Sequence, residues 1–449
     1  MTDRLLERYS GNVPRYTSYP TAPHFGTSVG PEDYRMWLSE LDGKAPLSLY
    51  FHIPFCAAMC SFCGCHTKIV RRYEPIADYL ATLRAEIDLV CTALPHRSSV
   101  GFVHWGGGSP TMIAADDWRR LRDYLGDRFE FAESPEIAVE LDPRTASEEY
   151  IRALGATGVT RVSVGVQDFD PEVQCAIGRV QTLETTARVI DWLRAAGIEA
   201  INIDLMYGLP HQTVECVLET VAKTLSLAPS RIALFGYAHV PWMKRHQSLI
   251  DQAALPDAKR RFEQAAAAAS ALEHAGYRRI GLDHFAQSGD SLVSALGKGR
   301  LRRNFQGYTT DVSEALIGFG ASAIGALRQG YVQNQVPLHA YAAAIAENTL
   351  PIGKGISLSN EDRLRRDVIS RLMCDLTVDL EAVRRAHAAA SDVFDDDLVR
   401  LEPLVEDRIV RVDGQRVTMT ALGRPFIRVV AATFDHYLAK NTARHAIAV

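Results

Sequence analysis

Residues 47–65 read LSLYFHIPFCAAMCSFCGC. An apolar run from Leu47 to Phe55 leads straight into four cysteines, Cys56, Cys60, Cys63 and Cys65, spaced CxxxCxxCxC. They are half of the chain's eight; Cys91, Cys175, Cys216 and Cys374 are scattered singly. Packing alone does not gather thiols this way, so the loop reads as a metal or redox site. Three thiolates separated by three and two residues can wrap one small cluster. A [4Fe–4S] cube takes one cysteine per iron, so a loop supplying three leaves one iron open for chemistry. Structural zinc would prefer a second CxxC pair, which is missing, but zinc and thiol redox chemistry stay open on spacing alone. A disulfide knot would need an oxidising compartment, whereas the opening MTDRLLERYSGN shows no apolar signal segment and points to the cytoplasm.

Outward from this loop, strand and helix patterns alternate from about Leu47 to Ile324. The strand candidates are LSLYFHI, SVGFVHWG, EIAVELD, RVSVGVQDF, AINIDLMYG, IALFGYAHV and RRIGLDHFA. Helical stretches such as PIADYLATLRAEIDLVCTAL and TLETTARVIDWLRAAG lie between most of them. This order predicts parallel βα units, an α/β full or partial (β/α)6-type barrel over residues 41–345, with ligand chemistry at the C-terminal ends of the strands. The cysteine loop, GGGSP, QDF and DLMYGLP all fall at such ends. Residues 1–40 read as an irregular arm. NVPRYTSYPTAPHFG is rich in loop formers yet also aromatic, which predicts an arm lying over the active site, with Tyr16, Tyr19, Pro20 and Phe25 packing there. Residues 346–449 read as a mostly helical cap with a small hairpin around Asp413-Gly414, winged-helix-like. Its scattered arginines form no basic recognition face.

The 449 residues are 47% hydrophobic and 23% charged with net charge −5, the profile of a soluble globular enzyme. No basic field favours nucleic acid, and no apolar run is long enough to span a bilayer. Gly106 to Pro110 would let backbone groups approach a polar ligand. Glu140 and Asp204 end strands, where carboxylates accept bonds from ribose hydroxyls or an amino group. Gln167 also follows a strand, and Arg179 can pair bidentately with a carboxylate. His239, Trp242 and His284 suit strand-end packing equally well.

The stretches RYTSYPTAPHF, YFHIPFCAAMCSFCGC, HWGGGSPT, VELDP, RVSVGVQDF, NIDLMYGLP, FGYAHVPW, GLDHFA and RNFQGYTT together resemble radical S-adenosylmethionine enzymes. Within them, the fourth cysteine and the YTSYPT arm resemble the oxygen-independent coproporphyrinogen III oxidases. The resemblance runs from about residue 10 to the end. It implies a radical-SAM barrel with a cluster on Cys56, Cys60 and Cys63 and S-adenosylmethionine on the open iron. It implies that Phe62, Gly108, Ser109, Gln167, Arg179, Asp204 and Ala238 hold one S-adenosylmethionine. Tyr50, Gly107, Glu140 and Ile324 would hold a second, and Cys65 would matter for turnover without being a ligand. Ser109 stands where Thr is usual and keeps the hydroxyl.

The implied reaction is anaerobic. A 5′-deoxyadenosyl radical abstracts hydrogen from two propionates of coproporphyrinogen III, which lose CO2 to become the vinyl groups of protoporphyrinogen IX in haem biosynthesis. A flavodoxin-type reductant, an unnamed electron acceptor and a monomeric chain go with it. The propionates call for cations, for which Arg15, Lys68, Arg302 and Arg303 are candidates. The alternative is a haem-binding chaperone of the same superfamily without decarboxylase activity, whose members typically lack the Cys65 position and the long arm.

Overall fold

The computed structural model describes residues 2–43, 45–313 and 315–438. The apolar run before the cysteines is strand β1 (Leu47–Ile53), buried on both faces. A strand covered on two sides reads as a near-continuous apolar run, which is why no alternation shows here. The other strands of its sheet are β2 (Ser99–Gly107), β3 (Glu130–Leu141), β4 (Arg161–Gln167), β5 (Ala200–Tyr207), β6 (Arg231–Gly236), β7 (Arg278–Ile280), β8 (His284–Ala286), β9 (Leu316–Phe319), β10 (Ile324–Ala326), β11 (Gly330–Asn334) and β12 (Ile352–Ser357). Their order is β12-β11-β10-β9-β1-β2-β3-β4-β5-β6-β8-β7. All neighbours from β9 through β6 are parallel. The crossover helices Leu183–Ala195 and Val214–Ser226 start at N-cap threonines, Thr182 and Thr213, whose hydroxyls accept backbone N–H bonds. Phe51 stacks between Trp105 at 4.1 Å and Phe319 at 4.9 Å, fixing β1 between β2 and β9. The result is a partial barrel, open between its two flanks of antiparallel strands.

Three expectations are corrected. RRIGLDHFA is two strands, because the chain turns at Gly281, and β8 runs antiparallel to both β7 and β6. The sheet continues to Ser357, past the expected boundary at 345; IGKGIS is too polar to announce a strand. The N-terminal arm is not irregular throughout, since Thr2–Tyr9 and Pro31–Ser39 are helices.

The C-terminal part has its own core, built on Leu364, Val368, Leu372, Leu401 and Val417. Helices Asn360–Asp375, Leu380–Ala386, Asp395–Glu406 and Ile427–Thr433 surround a three-stranded sheet that includes the hairpin turning at Asp413-Gly414. Leu5, Leu6, Tyr16 and Tyr19 of the arm belong to this core. The rings of Tyr16, Tyr19 and Phe25 are therefore not offered to a flat ligand. The Tyr16 hydroxyl donates to Asp435 at 3.0 Å, Tyr19 sits edge-on to Tyr437, and Phe25 stacks on Tyr331. Between these anchors the arm touches both flanks of the sheet. Arg15 donates to the carbonyl of Gly236, at the end of β6, at 2.7 Å. Gly26 forms an antiparallel bridge to Gly355 of β12 on the opposite flank.

Candidate active site

The cysteine loop leaves β1 and returns through Lys68–Ile69, which pairs with Phe55–Cys56. Cys60 is buried, Cys56 and Cys63 are half-buried, and Cys65 is exposed. Each of the first three sulfurs accepts a hydrogen bond. Thr67 Oγ1 donates to Cys56 Sγ at 3.2 Å, Arg144 Nη2 to Cys60 Sγ at 3.3 Å, and Cys65 N–H to Cys63 Sγ at 3.4 Å. Residues after β6 clasp the loop from the other side. Lys244 Nζ and Gln247 Nε2 donate to the carbonyls of Cys65 and Phe62, at 3.1 and 2.9 Å, and His246 Nε2 lies 2.6 Å from that of Cys63. The hydrogen bond with Cys65 lowers the Cys63 thiol to about 6. The same pairing pushes Cys65 well above its ordinary value; because Cys65 is exposed, its partner rather than burial governs the shift. Burial raises Cys56 to about 11, against the Thr67 bond.

Among the described residues, no three His, Cys, Asp or Glu side chains converge on one ion position. Thiols on separate corners of a cube each bond a different iron and need no common point. Three sulfurs, each already bonded by a donor of the surrounding shell, fit an iron–sulfur cube with one iron open.

β2 ends in the glycine turn. Gly107 has φ +113°, and a Cβ there would come within 2.7 Å of the His52 ring. At Gly108 a Cβ would lie 2.6 Å from the carbonyl of Phe55, so only bare backbone fits beside the cysteine loop. Gly107 N–H donates to Glu140 Oε2 at 3.1 Å, and Glu140 Oε1 lies 3.1 Å from His104 Nε2. The Tyr50 ring stacks on His104, and its hydroxyl lies 3.0 Å from His52 Nδ1. Gly318 pairs in register with Tyr50 and lies against the backbone of Ile324. Tyr50, Gly107 and Glu140 are thus brought together, with Ile324 close by across β9.

Ser109 is buried; its N–H donates to Phe55 O and its hydroxyl bonds Thr111. Gln167 carries φ +73° at a register shift in β4. Left-handed backbone at a non-glycine costs about 1–3 kcal/mol and concentrates at functional sites. The Gln167 amide and the Arg179 guanidinium both face Gly165. Arg179 Nη2 donates to Gly165 O at 2.6 Å and pairs with Asp142 at 3.3 Å, while its buried Nε has no partner. Burial opposes ionisation of Asp142, yet the Arg144 hydrogen bond and the Arg179 charge hold its carboxyl below the usual range. Asp204 accepts from Asn202 at 2.8 Å. Burial, and then the neighbouring Glu140, raise it to about 7. Buried Asn202 Oδ1 is also without a partner.

His104, Glu140, Asn202, Asp204 and His284 line a lumen cavity of about 160 Å³. Phe62 packs against Ile177, Leu209 and Tyr237. Ala238 lines a second cavity of about 230 Å³, with residues of β6 and the helix Ala258–His274. His239 sits 2.9 Å from the Tyr237 hydroxyl, and Trp242 is half exposed. Sequence reasoning missed Asp142, Arg144, His104 and the clasp at Lys244–Gln247. For Asp142 and Arg144 a signal existed, since both stand immediately after a strand in ELDPR; the clasp lies in a loop with no such mark.

The Radical SAM superfamily profile matches residues 50–223, and that of the HemN C-terminal domain matches 358–426. An oxygen-independent coproporphyrinogen III oxidase of Bradyrhizobium diazoefficiens is 51% identical over 437 residues, covering 97% of both chains. Another, from Paracoccus denitrificans, is 42% identical over 96% of each. Among solved structures, the coproporphyrinogen III oxidase HemN of Escherichia coli, described as a radical SAM enzyme, superposes with TM-score 0.90 at 37% identity. The match covers 94% of this chain and 97% of that one.

Proposed function

This chain belongs to the oxygen-independent coproporphyrinogen III oxidases of the radical SAM superfamily, and on that premise we propose how its residues divide the reaction. It is an oxidoreductase of haem biosynthesis that converts two propionates of coproporphyrinogen III to vinyl groups without oxygen, giving protoporphyrinogen IX. Its cofactors are a [4Fe–4S] cluster and S-adenosylmethionine. When bound, they supply a 5′-deoxyadenosyl radical that removes hydrogen from the propionate β-carbon.

Cys56, Cys60 and Cys63 hold the cluster, and Thr67, Arg144 and the Cys65 amide stabilise their thiolates. Asp142 fixes Arg144 and Arg179, so that Arg179 and Gln167 present a rigid polar pair at the strand ends. Phe62, Gly108, Ser109, Asp204 and Ala238 complete the first S-adenosylmethionine site. Asp204, half-protonated near neutrality, can both donate to and accept from ribose hydroxyls. Tyr50, Gly107, Glu140 and Ile324 hold a second S-adenosylmethionine; what supports this is the approach of Tyr50, Gly107 and His104 to the Glu140 carboxylate. Cys65, exposed and kept protonated beside Cys63, serves turnover rather than ligation.

The reductant is of flavodoxin type, the final electron acceptor is an unnamed oxidant, and the chain works as a cytoplasmic monomer. Among the described residues no helix is long and apolar enough to cross a membrane. The chaperone reading is not favoured, because Cys65 and the arm are both present. The observation that carries the proposal is the trio of hydrogen-bonded thiols at the end of β1, beside the glycine turn that binds Glu140. The test is anaerobic incubation of reconstituted protein with reductant, S-adenosylmethionine and coproporphyrinogen III. Vinyl product and CO2 are expected; a fully loaded cluster without either would overturn the reading.

A further inference from the structure

A cavity of about 690 Å³ lies where arm residues 16–19, the hairpin Arg302–Thr309 and the cap helix Asn360–Asp375 meet. Arg302, Arg303, Arg328, Arg363 and Arg366 line it, against only two carboxylates, Asp311 and Asp367. Asp367 is already taken by Arg371 at 2.8 Å and His387 at 3.4 Å. Among the described residues Arg302, Arg328 and Arg366 have no carboxylate partner. The Arg303 side chain is 5% exposed and stands 3.6 Å from Asp283. Its Nε and Nη1 make no hydrogen bond. In a chain of net charge −5 this excess of cations is local. Like charges crowded in a concavity repel one another, and an anion relieves that repulsion.

The shape of the lining narrows the anion. Guanidinium forks match carboxylates in bidentate fashion. The arginines come from three different elements, so a single carboxylate cannot reach them all. Leu316, Leu327, Tyr331 and Ile369 supply apolar wall between them. The complement is a ligand with an apolar body and several carboxylates at its rim. The cavity also meets the lumen, sharing Asn304, Thr309, Asp311 and Leu316 with it. Of the four cations singled out from sequence, Arg302 and Arg303 are here. Arg15 is spent on the Gly236 carbonyl, and Lys68 is exposed beside the cysteine loop.

On the functional reading above, we propose that this arginine-lined vestibule seats the propionates of the porphyrinogen that are not undergoing reaction. Arg302, Arg328, Arg363 and Arg366 are then substrate-positioning residues. The test titrates coproporphyrin III, a fluorescent tetracarboxylate, and its tetramethyl ester into anaerobic holoenzyme. The proteins compared are wild type, Arg328→Gln/Arg366→Gln and, separately, Arg302→Gln, all substitutions at side chains that make no salt bridge among the described residues. Iron content and melting temperature check that each variant is folded. Wild type should prefer the tetracarboxylate to the ester. The double variant should bind the tetracarboxylate at least tenfold more weakly, with a parallel rise in KM for coproporphyrinogen III and a smaller change in kcat. Arg366→Lys should keep part of the affinity. Unchanged affinity and KM in both variants, with wild type making product, would overturn the vestibule alone. Wild type that binds coproporphyrin III in an arginine-dependent way yet forms no vinyl product would overturn the functional reading instead.

Discussion

At the scale of single residues, the proposal that Cys63 is a cluster ligand and Cys65 is not can be tested directly. The Cys65 thiol pairs with Cys63 Sγ, and the Cys65 amide adds a second donor to that sulfur; together they lower the Cys63 thiol, while the thiol–thiol pairing raises Cys65. Replacing Cys56, Cys60 or Cys63 with Ala should abolish the reduced-cluster EPR signal. Cys65→Ser should keep about four irons per chain and lose vinyl product. A normal cluster in any of the three alanine variants, or cluster loss in Cys65→Ser, would contradict the assignment. Asp204 adds a pH signature. Its carboxyl is raised from 3.8 to about 7, so the folded state holds a proton that the unfolded chain has released. Stability therefore falls as pH rises between those values and levels off above them. Asp204→Asn should unfold at higher denaturant than wild type at pH 8, by about 1–3 kcal/mol after allowance for lumen water, with the gap shrinking toward pH 5. It should also weaken S-adenosylmethionine binding roughly tenfold to a hundredfold. Glu140→Gln should spare S-adenosylmethionine cleavage and impair only complete substrate conversion. Equal loss of cleavage in both variants would merge the two sites into one. In the sequence both acids stand out because each interrupts an apolar strand run. Asp142 carried the signal of a residue just after a strand, but nothing in the sequence brings Arg179 to it.

Among elements, β1 and β6 announced themselves as near-continuous apolar runs buried on both faces, and β4 by its strict alternation. β9 to β12 left no such mark. They are short, and Gly318, Gly325, Gly330, Gly353 and Gly355 remove side chains where neighbouring backbones close in. What secures this flank is a side chain that periodicity ranks as a surface acid. Glu86, on the helix Glu74–Ala93, is 1% exposed. It accepts from Gly320 N–H at 2.7 Å, Asn334 Nδ2 at 2.6 Å and the Tyr341 hydroxyl at 2.7 Å. One carboxyl thus joins the turn after β9, the end of β11 and the helix Leu338–Ala346. Burial outweighs those three donors and lifts it to about 7. Glu86→Ala would strand three buried donors, and we expect it to cost about 3–5 kcal/mol in urea unfolding. A loss under about 1 kcal/mol would show that the flank does not depend on it.

Across the whole molecule, the arm performs two separable tasks. Its first helix belongs to the cap, where Arg4, Arg8 and Tyr9 converge on Asp407 and Leu5 and Leu6 enter the core. Past Val13 and Pro14, whose carbonyls accept from Arg428, the chain becomes a strap that touches Gly236 on one flank of the sheet and Gly355 on the other. The aromatic content of the arm was visible in composition, but the destination of Tyr16 and Tyr19 was not, because the cap that receives them lies more than 300 residues away in sequence. Deleting residues 1–9 should lower the melting temperature and leave the ratio of vinyl product to S-adenosylmethionine cleaved unchanged. Deleting residues 1–25 should lower the melting temperature further and also depress that ratio, since a radical formed beside an open seam is quenched before it reaches substrate. Both proteins should retain their iron. If the longer deletion melts earlier but keeps the parent ratio, the strap is a brace for the cap and the barrel needs no cover on that side.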